Sequence, residues 1–472
     1  MIKKGVSVNL NALDGAFWLM ESPKTPVHIA AIVTFRRSMP KNQAEDFYLD
    51  LIKDLRSGPL QEPFNLKLAN PSSKMMWPKW QRADKVDLDY HVRHLALPSP
   101  GTKEQLQTMV ARLHSKPLDP AFPLWEFYLI EGLCDDRFAL YFKVHHSYLD
   151  GVEAMAILEK SYTSDPHDFK VTPPWAAKVK KRRRRKRPLA NPIKGAASHI
   201  INTVKNIKEI GHYSTETIQG WMKDPSETIM PFTSPHTPLN GLVTAPKGFT
   251  MASLSLGDCR RIARYENATI NDIILSLCGD TLRQCLQKTG SLPEVSMTSI
   301  VPVSLEGKQG VTTRGNKLGF VLCSLGTHIP DPLKRLQFVK NSMSLAKGRL
   351  GLLSPKASMI VTVTTDVAFM ASNFINTLTG NIPPLANIVI SNVVGPSKPL
   401  YLKGARMEAL FPASILMNGQ SMNISVVSCD DYLHFGVVGC QSFQGLEQFP
   451  NYLEDSLQNL LKKCQDKELA YA

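Results

Sequence analysis

Residues 137–151 read RFALYFKVHHSYLDG. The passage opens as an apolar run, Arg137 to His145, whose aromatic and branched side chains suit a strand buried on both faces. It closes on Asp150-Gly151, after which Val152, Met155, Ala156 and Leu158 recur at helical spacing as far as Tyr162. Strand, turn and helix therefore follow in immediate succession, and the turn carries two histidines and an aspartate. Strand ends and the loops after them are where folds mixing helix and sheet place reactive groups.

Working outward, Trp125 to Ile130 reads as a second strand, joined to the first by a turn through Gly132, Asp135 and Asp136, so the two form a hairpin. Upstream, Val27 to Phe35 predicts a strand, Asn42 to Leu55 a helix, Val86 to Leu97 an extended stretch, and Gln105 to His114 a helix. Downstream of Phe249 the same mixture resumes. Strands are expected at Thr250 to Leu256, Val295 to Val303, Leu318 to Thr327, Asn387 to Asn392, Met422 to Cys429 and Tyr432 to Cys440. Helices are expected at Cys259 to Glu266, Ile270 to Thr289, Pro332 to Lys347 and Gln448 to Lys467. The fold class is α/β with mixed sheets.

The 472 residues suffice for two cores, and 43% apolar with 20% charged residues describes a globular chain. The expected division is 1–165, a linker 166–247, and 248–472. The linker is marked by Pro173-Pro174, Pro188, Pro192, Pro231, Pro235 and Pro238. Within it Ile193, Ala197, Ile200, Ile201, Val204, Ile207 and Ile210 recur every three or four residues among lysines, predicting one basic amphipathic helix. Just before it, nine of the ten residues from Lys178 to Arg187 are Lys or Arg, which carries nine of the fourteen net positive charges.

Polar Asn9, Asn11 and Asp14 interrupt any secretory apolar core near the N-terminus, so no signal peptide is expected. The most apolar stretch, Met359 to Leu378, is broken by Asp366 and polar residues and falls short of a membrane span. Eight cysteines without a Cys-x-x-Cys pair read as buried thiols in a reducing compartment.

A neutral imidazole is a competent general base near pH 7. Neighbours on an extended chain point to opposite faces, so His145 and His146 do not share a cavity without a kink; His146 is the expected base and His145 its support. Asp150 is expected to orient a ring or to pair with an arginine, and Gly151 to relieve the backbone at the helix start. Other readings stand beside this one. Two histidines on a sheet can be satisfied polar residues. Two histidines and an aspartate can bind metal, but no further ligand follows at familiar spacing. A hydrolase needs its own nucleophile, and no G-x-S-x-G occurs. A base acting on a substrate's hydroxyl fits best.

HHSYLDG matches the HHxxxDG motif of the CoA-dependent acyltransferase superfamily, and the whole chain resembles its bacterial wax ester synthase/acyl-CoA:diacylglycerol acyltransferase branch. The supporting segments are Pro123-Leu124-Trp125-Glu126, Asn271-Asp272, Val301-Pro302-Val303-Ser304, Asp331-Pro332 with Arg335-Leu336, Ile390 to Pro396, and Leu410 to Ser414. The resemblance implies two chloramphenicol-acetyltransferase-like halves with a tunnel between them. It further implies transfer of a long-chain acyl group from acyl-CoA to a diacylglycerol or long-chain alcohol, giving triacylglycerol or wax ester, by direct attack with no acyl-enzyme. Acyl-CoA is then a co-substrate, and no other cofactor or metal is expected. Asp150 and the segments Pro123-Leu124-Trp125 and Asn271-Asp272 are structural on this reading. Gly151, Ser391 and Asn392 line the tunnel, or the last two donate to the oxyanion; as an alternative they cap the turn into Gly395-Pro396, and Asn271 and Asp272 open a helix. Three departures bear on tunnel shape: Val27 and Ala30 in the Pro-Met-His-Val-Gly segment, Glu306 after Leu305, and Val394 for proline.

The basic run reads as a solvated tether or a membrane-surface anchor, the latter favoured by the helix that follows. The expected location is cytoplasmic, at the periphery of the inner membrane or of lipid inclusions; no aromatic residues interleave with the cations, so nucleic acid is not expected. Rival functions are a condensation-type enzyme with another acceptor and a non-catalytic lipid-surface or CoA-binding protein. The plant-type Asp-Phe-Gly-Trp-Gly segment is absent.

Overall fold

The computed structural model describes residues 5–37, 44–74, 76–177, 192–224, 229–304, 318–354, 383–441 and 443–471, with a few positions between 357 and 365. The basic run, Glu306 and most of the 359–378 stretch lie outside the described residues.

The first half runs β1 (Ser7–Asn9), α1 (Ala12–Met20), β2 (His28–Arg36), α2 (Ala44–Leu55), β3 (Leu66–Leu68) and β4 (Lys79–Arg82). It continues through α3 (Leu88–His91), β5 (Val92–Ala96), α4 (Lys103–Ser115), β6 (Trp125–Leu133), β7 (Arg137–His145) and α5 (Gly151–Ser161). The crossing helix α6 (Pro192–Lys223) leads to β8 (Lys247–Ser255), α7 (Leu256–Tyr265), α8 (Ile270–Lys288), β9 (Thr298–Ser304), β10 (Leu318–Ser324) and α9 (Pro332–Leu350). The chain closes with β11 (Ile388–Val394), β12 (Tyr401–Leu402), β13 (Ala405–Ala413), β14 (Met422–Cys429), β15 (Tyr432–Cys440) and a last helix, Phe449–Tyr471.

Two six-stranded mixed sheets carry the fold, ordered β12-β13-β2-β7-β6-β5 and β10-β9-β11-β14-β15-β8, and a small sheet β1-β4-β3 sits apart. Parallel neighbours are β5 with β6 in the first sheet and β11 with both β9 and β14 in the second. The β6–β7 hairpin turns through Asp135 and Asp136, both at positive φ (59° and 53°), which aspartate tolerates better than most residues. Along β7, Phe138, Leu140, Phe142 and Val144 enter one core while Ala139 and Tyr141 enter another. The second of these also contains Phe249, Met251, Phe411, Val438 and Cys440, so one apolar layer is shared by the two sheets.

One local expectation is corrected. Residues 86–97 are not continuously extended, because the Asp87 carboxylate accepts the amides of Asp89 and Tyr90 and caps the single turn α3. The amphipathic helix in the linker is α6, and it runs on to Lys223. Strands β12 and β13, from the second half of the chain, belong to the first sheet, where β13 pairs with β2 from Arg36 to Ala30. Without them β2 would expose an open edge, so the second half completes the first.

The sheets approach closely at Gly436 of β15, where an added Cβ would lie 1.7 Å from the Pro412 carbonyl oxygen of β13. Gly211, in α6, has open space around such an atom. Gly436→Ala is therefore expected to destabilise the fold by about 1–3 kcal/mol or more, and Gly211→Ala to leave it unchanged or stabilise it by up to about 1 kcal/mol. Denaturant unfolding of the two variants against the parent checks both signs.

Candidate active site

Strand β7 is pinned on both sides at its last residues. The His145 amide donates to the Leu124 carbonyl at 2.9 Å, on the β6 side, and the His146 amide donates to the Val27 carbonyl at 3.0 Å, on the β2 side. The Tyr148 amide then closes the turn onto the His145 carbonyl at 2.9 Å. The Pro123-Leu124-Trp125 segment builds this support. Leu124 N–H donates to the Tyr148 hydroxyl at 3.0 Å, which in turn donates to the Leu66 carbonyl. The Trp125 indole N–H donates to the Phe64 carbonyl at 2.9 Å, and its ring stacks between His91 and Trp175 at centroid distances of 4.3 and 4.9 Å.

His145 is fully buried. Its Nδ1 lies 3.2 Å from the Ser147 backbone N–H, which can only donate, so Nδ1 accepts and the neutral ring carries its proton on Nε2. The Ser147 hydroxyl lies 2.6 Å from the same nitrogen. Burial, then the neighbouring His146 and Lys74, push the ring down to a pKa of about 3. His146 is less enclosed and packs against Phe17, with ring centroids 4.6 Å apart and planes tilted by 32°. Burial lowers its pKa below the usual 6.5; a hydrogen bond with its own backbone and the Asp150 charge act in the opposite direction. Both imidazoles are thus neutral at physiological pH, and they differ in access.

Asp150 is the N-cap of α5, its carboxylate accepting the Glu153 amide at 2.7 Å. Among the described residues no arginine pairs with it. Gly151 opens α5 and meets the end of β11: a Cβ placed there would lie 3.6 Å from Val393 Cγ2. The motif turn and the Ser391-to-Gly395 segment consequently border one another. Ser391 donates its hydroxyl to Ser425 at 2.9 Å, and Ser425 donates to Asn423 Oδ1 at 2.9 Å; Asn392 is half-buried beside it. Asn271 and Asp272 lie in the first turn of α8, where Asp272 accepts from the Thr269 amide (2.9 Å) and hydroxyl (2.7 Å) in a capping box.

Helix α1 does not figure in the sequence expectations. It starts at the N-cap Asn11 and lies over the motif turn, with Phe17 on His146 and Trp18 on His145, the latter pair of rings 6.1 Å apart. From the same face Asp14 approaches Asp150 and Glu153, and burial above all pushes its carboxyl up to about 7. Asn11 three residues before Asp14, ahead of an apolar run, is the signal that marks this helix. Glu21, directly after α1, was equally silent in the sequence. Among the described residues no three His, Cys, Asp or Glu side chains gather as a metal site.

A neutral histidine pair held at a strand end between two mixed sheets is the arrangement of a protein that moves a proton on a bound substrate. The profile described as the wax ester synthase/diacylglycerol acyltransferase catalytic domain matches residues 10–274, and the WS/DGAT C-terminal domain matches residues 314–461. The chain belongs to this family of O-acyltransferases. It is similar to the O-acyltransferase WSD of Acinetobacter baylyi, 33% identical over 95% of this chain and 96% of that protein. A probable diacylglycerol O-acyltransferase of Mycobacterium tuberculosis is 32% identical over 95% of this chain and 97% of its own length. Among solved structures, the wax ester synthase/diacylglycerol acyltransferase of Marinobacter aquaeolei aligns with a TM-score of 0.72 at 30% identity, covering 97% of this chain and all (100%) of that one. A condensation domain of the calcium-dependent antibiotic synthetase, at 14% identity and a TM-score of 0.57, shares the fold.

Because the His146 pKa lies below 6.5 and a base must be unprotonated, activity that depends on it should persist below pH 6.5 as pH falls. The acidic limb of kcat/KM against pH is expected to have its midpoint below 6.5; a midpoint above 7 contradicts the lowered pKa.

Proposed function

We propose that His146 is the general base of direct acyl transfer from acyl-CoA to the hydroxyl of a diacylglycerol or a long-chain alcohol. The observation that carries this is the pair of contrasting imidazoles: His145 is sealed with its proton on Nε2, while His146 is neutral and accessible. His146 takes the hydroxyl proton as the oxygen attacks the thioester carbonyl. The tetrahedral intermediate collapses with cleavage of the carbon–sulfur bond, and the imidazolium returns its proton to the CoA thiolate. The products are triacylglycerol or wax ester and free CoA, with no acyl-enzyme. Acyl-CoA is the co-substrate and the reaction needs no further cofactor.

On this reading the halves 1–165 and 248–472, connected through 166–247, enclose the substrate tunnel, with Gly151 at its wall. Of the two oxyanion candidates Asn392 is preferred, since the Ser391 hydroxyl already donates to Ser425. Asp150 holds the start of α5 and so the shape of the turn.

The decisive experiment measures CoA thiol release from palmitoyl-CoA with hexadecanol and with a diacylglycerol. His146→Ala should lose about 10²–10⁴-fold in kcat with whichever acceptor the parent uses. Full activity in the variant sinks the base assignment.

We also infer a peripheral contact with an anionic lipid surface, at the inner membrane or at lipid inclusions, through the basic run 178–187 and α6. Among the described residues no helix is long and apolar enough to cross a membrane. On α6, Ile210 and Tyr213 pack on the core that α8, α9 and the second sheet build with the last helix, whereas Ile218, Trp221 and Met222 recur at helical spacing and are 46, 37 and 73% exposed. Exposed apolar residues that include a tryptophan suit a lipid headgroup layer, and each cation of the run 178–187 would contribute about 1 kcal/mol near such a surface. Sedimentation with anionic vesicles is expected to weaken with salt and to weaken again when six of the cations are replaced by glutamine. Binding that salt and replacement leave unchanged rules the contact out.

A further inference from the structure

Glu21 belongs to no motif, yet its carboxylate reaches both residues of the histidine pair. It is the C-cap of α1, and its side chain is 9% exposed. One oxygen, Oε1, accepts the Val27 amide at 3.0 Å, and the carbonyl of the same Val27 accepts the His146 amide at 3.0 Å. The other oxygen, Oε2, lies 3.8 Å from His145 Nε2. That nitrogen carries the ring proton, because Nδ1 accepts from Ser147, and it is buried without a hydrogen-bond partner. A buried N–H facing a carboxylate is drawn to it, and a shift of about 1 Å closes the pair to hydrogen-bond range. The acid is itself held in place. Its backbone carbonyl accepts from the Lys74 ammonium, which also donates to the Trp18 carbonyl at 3.3 Å and lies 5.1 Å from the Trp18 ring centroid. Burial raises the Glu21 pKa, and Lys74 and the Val27 amide oppose this.

We propose that Glu21 is a positioning residue for acyl transfer: one carboxylate oxygen fixes the His146 backbone through Val27, and the other fixes the His145 ring through its Nε2–H. The inference rests on His146 being the base. Glu21 touches no reacting atom; it sets the direction from which the His146 ring meets the acceptor hydroxyl.

Glu21→Gln separates the two functions of the carboxylate. The amide oxygen can still accept from Val27, but the amide NH₂ then opposes the His145 N–H, donor against donor. The variant is expected to fold with an unchanged thermal midpoint, to lose about 10-fold in kcat, and to keep KM for palmitoyl-CoA within about twofold. In a His145→Ala background the same substitution should change kcat by less than about twofold, since the group it acts through is gone. Full kcat in Glu21→Gln, or equal losses in both backgrounds, overturns the inference. A measurement on the unaltered protein guards against a variant that fails to fold: nitrogen-15 histidine spectra at pH 7 should show His145 neutral with its proton on Nε2. A cationic ring, or a proton on Nδ1, overturns it as well. Should His146→Ala remain active, the base assignment itself falls; an inactive His146→Ala beside a fully active Glu21→Gln removes only the positioning role.

Discussion

The last amide of β7 and the next one, of His146, point in opposite directions and each finds a carbonyl, Leu124 just before β6 and Val27 just before β2. An extended strand can be held this way only while it is flanked on both sides, and that flanking ends at His146. The chain must then turn, which brings Ser147 back under His145 and Asp150 to the start of α5. One backbone constraint thus seals one imidazole, leaves the next accessible, and sets where the helix begins. Much of the remaining structure serves to keep β6, β7 and β2 in this register, from the stacking of Trp125 between His91 and Trp175 to the pairing of β13 along β2.

Behind the site lies a buried polar layer that the same strands require. Lys143, wholly inaccessible, pairs with Glu126 at 2.8 Å and donates to the carbonyls of Leu113 and Lys116 at 3.2 and 3.0 Å. Tyr128 donates to the same carboxylate at 2.7 Å. A buried ion pair is tolerable when its remaining donors and acceptors are matched, and this one is. Nearby, His114 is joined to Tyr141 and to the Ser414 carbonyl, each at 3.0 Å, and His28 to the His114 carbonyl at 2.9 Å. These bonds tie α4 and β2 to the segment that follows β13. The layer therefore links residues from both halves beside β7.

Strands β6 and β7 and the start of α5 were legible because their residues carry their own signals: unbroken apolar runs, a two-aspartate turn, and Asp150-Gly151 at a helix start. Asn271 and Asp272 were legible as a helix opening for the same local reason, and Thr269 completes it. By contrast α1 is a nine-residue helix whose importance comes from lying over the motif turn, and nothing in residues 12–20 reveals that. Strand β13 was hidden too. Ala405–Ala413 contains a proline and a register shift after Met407, and its partner β2 is some 370 residues distant in sequence, as the contact of Arg36 with Glu408 illustrates.

What the sequence determined by itself was the reactive residue type, its place at a strand end, and the family to which the chain belongs, since motif spacing and apolar periodicity are local properties. Only the tertiary structure decided which histidine is sealed and which is accessible, that Asp150 caps a helix, and that Glu21 stands behind both histidines. Each of these depends on a tautomer, a burial or a distance set by chain segments far apart in sequence. Periodicity within one segment carries no record of what another segment will place against it.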